Sequence, residues 1–387
     1  MPIIKLGIRK NLFYPMMLII IYFLREADLI ILDKVIKIDI DKFKELKTLI
    51  MFLSEFISGS ILYKFHLKFI TKKVEQTKPT FRIKLIQTKA QFSSTTDGIY
   101  KIYFFIFIIS FLDFIGFCIT TFDIPEFNDF SPTLETRLQC LLALQSSLLC
   151  YFLLKIPIYR HQKCSLIFIF MCLIIVIVSE YYFFLKNDDK TKIKHLTLLL
   201  LFIFIKDVFY SYIDLTEKYL LEYNFINPFQ MLMFEGIFGF AMTLIFSFIK
   251  NPFKNIDIIN NTSKILFFII SLILYFLLSG AYNCYRVFIN KLYSPSTLSL
   301  TYCFLDPFFI IFYNILGDDC LKDNKNYLIT NLLLSFFIDF CVCIYNEVFV
   351  LFCLKLDKDT YLQISTRSDS DTSESLLDAI KELTEIY

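Results

Sequence analysis

The chain has 387 residues, is 56% hydrophobic and has a mean hydropathy of +0.60, against about 45–50% apolar residues in soluble domains. Its 39 basic and 37 acidic side chains leave a net charge of +2, so no global basic field points to nucleic acid. Of 11 cysteines most lie in apolar runs, none forms a C-x-x-C pair, and there are only 3 histidines, which excludes an evident zinc site and favours small buried hydrophobes.

A bilayer core takes roughly 20 mostly apolar residues per helix. Ten runs of that scale follow one another, near residues 11–31, 48–70, 100–121, 135–155, 163–184, 195–215, 226–249, 264–285, 294–316 and 328–354. The first is preceded by Lys5, Arg9 and Lys10, as in a signal peptide. Arg25 and Glu26 stand where a small-residue cleavage site would follow, so the run reads as an uncleaved span. Arg25, Glu26 and Asp28 within it must pair with one another or face a polar interior. The expected fold class is an all-α membrane protein of about ten transmembrane helices. They divide into halves at 1–185 and 186–356, followed by a tail at 357–387. With an odd number of spans per half, the second half inserts upside down, as in transporters whose substrate site lies between inverted repeats.

Lys and Arg set the expected orientation. The loop 71–99 carries Lys72, Lys73, Lys78, Arg82, Lys84 and Lys89 against Glu75, so it is expected in the cytosol. The loop Phe122–Thr136 is acidic, with Asp123, Glu126, Asp129 and Glu135, and the loop Lys155–Lys163 is basic again. Both termini are then cytosolic, although the stretches Lys34–Lys47 and Lys186–Lys194 are basic on the other side. The glycosylation acceptors at Asn260 and Asn261 fall in a loop this orientation makes luminal. In the tail, Ser368, Ser370, Ser373 and Ser375 lie among acids, as in a disordered, phosphorylatable segment. Leu376, Leu377, Ile380, Leu383 and Ile386 then recur at helical spacing.

Ionisable residues interrupt the spans or their ends at Glu55, Asp113, Lys206, Asp207, Asp214, Glu235, Arg286, Asp306, Asp339 and Glu347. A charge at the bilayer centre costs about 2.5–3.5 kcal/mol on insertion scales, so the set implies a hydrated cavity or internal ion pairs. Arg286 follows the small residues Gly280 and Ala281. Its guanidinium suits a phosphate or carboxylate, unless it pairs with Asp306, Asp339 or Glu347 or snorkels to the interface. Ser294-Pro295-Ser296-Thr297 opens the ninth span, where free N–H groups can meet an anion or simply start a helix. Asp306-Pro307 predicts a mid-span kink, Glu217 and Lys218 read as a structural helix end, and His161 as a solvated residue in a basic loop. No G-x-S-x-G, H-E-x-x-H or Gly-rich phosphate loop occurs. Neither catalytic residues nor a metal or cofactor is therefore expected.

Several short motifs occur in order: Glu217-Lys218-Tyr219, Asn227-Pro228-Phe229, Phe234-Glu235-Gly236, Asn283-x-x-Arg286, Tyr293-Ser294-Pro295, Asp306-Pro307-Phe308 and Tyr345-Asn346-Glu347. With Ser54-Glu55-Phe56-Ile57-Ser58-Gly59 and Tyr159-Arg160-His161-Gln162, the order resembles the drug/metabolite transporter superfamily over roughly residues 45–365. It is most similar to the nucleotide-sugar-transporter-like (solute carrier family 35, EamA-like) branch. That resemblance implies ten helices in two inverted halves, alternating access, a central site and an ability to form homodimers. No Gly-Ala-Leu-Asn-Lys-like stretch is present, so a GDP-sugar substrate is not implied.

The expectation is a secondary transporter of a small polar, anionic metabolite across an endomembrane, with the bilayer and a small-molecule substrate as partners and no nucleic acid. Asn283, Arg286, Ser296 and Thr297 are the expected substrate contacts. Glu55, Glu235, Asp306, Asp339 and Glu347 are the expected gating or ion-pair residues. The alternative is a non-transporting scaffold of the same fold acting through its acidic tail. A multi-span enzyme is disfavoured by the lack of a catalytic constellation.

Overall fold

The computed structural model describes residues 4–6, 13–38, 43–76, 96–121, 134–185, 190–222, 224, 226–249, 262–316, 325–351, 356 and 360. Most of the basic loop (77–95), the acidic loop (122–133), the acceptors Asn260 and Asn261, and the serine-rich tail lie outside these described residues.

Runs of Leu, Ile, Phe and Val form helices because a helix satisfies its own backbone polar groups, as an apolar surrounding requires. In chain order they are α1 (Phe13–Lys34), α2 (Lys44–Gln76), α3 (Thr96–Thr121), α4 (Leu134–Leu153) and α5 (Arg160–Glu180), the last extended by a π-helical turn, Tyr181–Leu185. Then come α6 (Lys190–Glu222), α7 (Pro228–Ile249), α8 (Thr262–Leu292), α9 (Pro295–Cys303), α10 (Asp306–Leu316) and α11 (Lys325–Tyr345). Among the described residues, 8 segments are long and apolar enough to cross a membrane, with α9 and α10 counted as one. The protein is an all-α membrane protein. The two expected spans outside that set are α1, which carries Arg25, Glu26, Asp28, Asp33 and Lys34, and α4, whose apolar part is the shorter Arg137–Leu153.

The outer surface is apolar. On α5, Ile169, Cys172, Leu173 and Val176 are buried while Ile167, Phe170, Met171, Ile174 and Val178 are exposed, a face suited to lipid tails rather than water. Inside, α2 crosses α7 with their backbones in contact. A Cβ on Gly236 would lie 2.3 Å from the Phe56 nitrogen, and one on Gly59 would lie 2.7 Å from the Met233 nitrogen. Only glycine permits that approach. Around this crossing, α1 packs on α8, α3 on α6, α2 on α8, and α3 on α7. On the outer side, α4 packs on α9 and α6, and α5 on α11.

Two expected spans change form. The ninth is broken rather than kinked: α9 ends at Cys303 and α10 restarts at Asp306, because Pro307 has no N–H to donate to the Cys303 carbonyl. The tenth stops at Tyr345, short of the expected 354. The Val348 N–H donates to the Cys343 carbonyl at 2.8 Å, and Glu347 adopts a positive φ of 58°, a left-handed helix end. Glu347 therefore lies beyond the helix rather than within a span. The chain continues as β2 (Phe349–Leu351), antiparallel to β1 (Ile4–Leu6) with Lys5 opposite Val350. This pairing brings both ends of the described chain to one end of the bundle.

Candidate functional site

A cavity of about 520 Å³ lies between the helices, and α1 to α4 and α6 to α10 all contribute to its wall. Its floor is built from two helical faces. Asp214 and Glu217 share one face of α6 at i, i+3 spacing. Asn283, Arg286 and Asn290 share one face of α8 at i, i+3 and i+7. Arg286 Nη1 lies 2.6 Å from Glu217 Oε1 and 3.3 Å from Asp214 Oδ1, and Nη2 lies 3.6 Å from Glu235 Oε2 on α7. Asn290 Nδ2 donates to Glu217 Oε2 at 3.0 Å and to the Asp214 carbonyl at 2.8 Å, which fixes the acidic face against α8. Glu55 and Asp113 line the cavity beside this cluster.

Below the floor the bundle is closed. Lys218 Nζ donates to the carbonyls of Lys291, at 3.1 Å, and Tyr293, and pairs with Glu222 at 2.6 Å. It thereby ties the end of α6 to the turn between α8 and α9. In the other direction the wall extends to Lys47 in the first turn of α2, Phe117 near the end of α3 and Tyr313 near the end of α10. There the chemistry changes. Arg25 bonds Glu26 at 2.7 and 2.9 Å, and its guanidinium carbon lies 4.3 Å from the Tyr282 ring centroid and 4.9 Å from that of Tyr22. Lys47 Nζ lies 5.7 Å from the Tyr275 ring centroid. Desolvated cation–π contacts of this kind hold a positive charge in an apolar setting. Asp28, the third charge in this part of α1, accepts from the Ser271 hydroxyl at 2.5 Å.

The cavity is therefore polarised along its length. Arg25, Lys47 and Lys206 outnumber Glu26 and Asp207 at one end. Glu55, Asp113, Asp214 and Glu235 outnumber Arg286 among the lining residues at the other. Among the polar atoms near the floor that have no hydrogen-bond partner among the described residues are Glu235 Oε1 and Asn283 Nδ2, and each residue is only 3% exposed.

Of the residues singled out from sequence, Asn283, Arg286, Glu55 and Glu235 line this cavity together; Ser296, Thr297, Asp306, Asp339 and Glu347 are not among its lining residues. The Thr297 N–H donates to Ser294 Oγ at 3.1 Å, an N-cap bond of α9, and Ser296 is buried. Asp306 is 1% exposed at the helix break, with no hydrogen-bond partner for either carboxylate oxygen among the described residues. The partners of Arg286 are Asp214, Glu217 and Glu235, not the distant acids Asp306, Asp339 or Glu347. Glu217, read as a structural helix end, is its closest partner. His161, expected in solvent, is 2% exposed, with Nε2 3.5 Å from Glu347 Oε1. The reason is local: Gln162 Oε1 accepts the Tyr159 N–H at 3.0 Å, which starts α5 at once and turns His161 inward.

Sequence reading passed over one polar cluster. Arg137 on α4 is fully buried. Its Nη1 donates to Asn331 Oδ1 at 2.6 Å, and its Nη2 donates to the Tyr327 hydroxyl at 2.6 Å and to Glu180 Oε2 at 3.2 Å. The Tyr327 hydroxyl in turn donates to Glu180 Oε2 at 2.5 Å. The signal was present as an arginine at the start of one apolar run and a glutamate at the end of the next. Among the described residues no group of three or more His, Cys, Asp or Glu could hold a metal ion. The chain matches no protein-family model and no curated protein.

Proposed function

We propose that the protein is a secondary transporter, moving a small polar metabolite across an endomembrane by alternating access of two inverted five-helix halves. The observation that carries this reading is the cavity itself. It is walled by helices from both halves of the chain, closed at one end by the ion pairs of Arg286 and Lys218, and polarised in charge from end to end. A static structural protein has no need to bury so many charges around unfilled space.

The pattern of helix packing supports the two halves. Count α9 and α10 as one rod and exchange each of the first five rods with the rod five places later. The pair α1 with α8 becomes α6 with α3, and α2 with α8 becomes α7 with α3. The pairs α2 with α7, α4 with α9 and α5 with α11 map onto themselves. The crossing at the centre repeats in sequence as well, as Glu55-x-x-x-Gly59 on α2 and Glu235-x-x-x-Gly239 on α7.

On the Lys and Arg reading of orientation, the closed end faces the cytosol and the cavity extends toward the lumen. The guanidinium of Arg286 is taken up by three carboxylates, so a substrate's negative group is met at the other end, where Arg25 (held by Glu26), Lys47 and Lys206 exceed the lining acids by one. The test is a thermal-shift screen of the purified protein with nucleotides, nucleotide sugars, sugar phosphates, amino acids and organic acids, followed by uptake into proteoliposomes. A ligand at 100 times its dissociation constant stabilises the native state by about 2.7 kcal/mol. An anionic ligand whose shift and uptake disappear in Lys47→Met and persist in Ser296→Ala supports the reading. Absence of any shift and any uptake across the panel retires it.

A further inference from the structure

We propose that Glu55 and Glu235 form a symmetric pair of proton-binding carboxylates at the α2–α7 crossing, and that the proton they carry drives the transport cycle. The coupling rests on the transporter reading above; the proton site does not.

Glu235 on α7 faces Glu55 from α2, Asp113 from α3, Glu217 from α6 and Arg286 from α8, and Asp214 on α6 faces the same Arg286. Five carboxylates thus share one guanidinium, since Arg25, which acts on Glu55 from α1, is already held by Glu26, and Glu55, Glu217 and Glu235 are each no more than 3% exposed. Burying an ionised carboxylate is tolerable when an opposite charge and hydrogen bonds compensate it, and one arginine cannot compensate five. Like charges crowded together share protons instead. Glu235 Oε2 is 3.6 Å from Arg286, whereas Glu235 Oε1 has no hydrogen-bond partner among the described residues. That free oxygen is where a proton adds. Asn283 Nδ2, also without a partner, is on the cavity wall and offers a donor to an acceptor entering there.

Glu55 and Glu235 occupy the same place in the repeated Glu-x-x-x-Gly, one on each helix of the crossing, and Gly236 lies against the Phe56 backbone between them. In an inverted repeat, the two halves exchange environments when the protein rocks from one access state to the other. Here Glu235 is held toward the Arg286 cluster at the closed end. After the exchange Glu55 takes that role and Glu235 faces the opening. A proton is taken from water on one side by forming a carboxyl O–H bond. It is given up to water on the other side when that bond breaks, and no further reactant is needed.

Infrared spectroscopy on the purified, ligand-free protein tests the site, because a protonated carboxyl group has a carbonyl band distinct from that of a carboxylate. The wild type is expected to show a protonated-carboxyl band at neutral pH that titrates on raising the pH. Part of that band should be lost in Glu235→Gln and in Glu55→Gln, and retained in Glu235→Asp. Two carboxamide variants guard against a folding defect in either. A wild type with no such band at neutral pH, or a band unchanged in both variants, overturns the assignment. A band that sodium chloride suppresses at constant pH also overturns it, in favour of a metal cation. In proteoliposomes with an imposed pH gradient, each panel compound is then tested for uphill uptake abolished by a protonophore. A titrating band together with gradient-independent uptake overturns the coupling and leaves the proton site standing. A band with no uptake of any compound overturns the transporter reading, and the coupling with it.

Discussion

Arg137 and Arg286 are both guanidiniums enclosed by helices, yet their surroundings differ in kind. Among the described residues Arg137 has one carboxylate, Glu180, and two neutral partners, Asn331 and Tyr327, with no exposed surface. Within that set one guanidinium meets one carboxylate. Arg286 faces Asp214, Glu217 and Glu235 at the floor of a cavity, with Glu55 and Asp113 close by and its side chain still 14% exposed. A cluster that sets one carboxylate against one guanidinium with no exposed surface acts as a fastener, here joining α4, α5 and α11. An unbalanced cluster beside open volume can trade protons and partners, which is what a moving site requires. Burial of a charge alone does not distinguish the two; the local charge count and the adjoining volume do.

The comparison is most exposed at Arg137. Arg137→Met leaves Glu180 buried without its cation, and breaking a buried ion pair in this way costs about 3–5 kcal/mol. Thermal unfolding in detergent should show this as the largest loss among the substitutions considered. Adding Glu180→Leu should recover most of it, since removing both charges abolishes the imbalance. A variant that melts like the wild type but alters ligand binding would erase the contrast between the two arginines.

A second test addresses the crossing that brings Glu55 and Glu235 together. In Gly236→Ala the new Cβ meets the Phe56 backbone at 2.3 Å, and backbone cannot rotate out of the way as a side chain can. Overpacking of this sort costs about 1–3 kcal/mol. Gly280→Ala is the control, because its nearest neighbour is the Ser58 side chain at 3.3 Å, and its melting point should move less. Equal effects would mean that the α2–α7 contact is no tighter than the α2–α8 contact.

Much of this was legible in the sequence, for physical reasons. Apolar run length located the helices because the bilayer sets a fixed length, and the charges in α1 keep it out of the long apolar set. Asn283 and Arg286 fell on one face of α8 because helical spacing is local information. Ion-pair partners were not legible, since Asp214 and Glu217 reach Arg286 only through the packing of α6 on α8. The Arg137 cluster escaped for the same reason: Arg137 and Glu180 lie on successive helices, but Tyr327 and Asn331 join them only from α11, far along the chain. His161 was misplaced because a basic loop and the first turn of a helix look alike until Gln162 is seen to cap it.

The smallest effect separates two readings of the α9 entrance. Ser294 Oγ accepts the Thr297 N–H at 3.1 Å and lies 3.1 Å from Thr297 Oγ1, while Thr301 Oγ1 donates to the Thr297 carbonyl at 2.7 Å. These bonds are capping chemistry, and Ser294→Ala should cost about 0.5–2 kcal/mol of stability. If capping is the whole role of this turn, Ser294→Ala lowers the melting point while ligand-induced shifts keep their size. If the free N–H groups of α9 meet the solute, the ligand-induced shift falls as well, and falls further in Ser296→Ala, whose hydroxyl engages Cys150 and Tyr345 inside the bundle rather than the cavity. The first outcome leaves the anionic end of the substrate to Arg25, Lys47 and Lys206. The second would require α9 to swing toward the cavity during the cycle, with the break at Phe304 and Leu305 as its hinge.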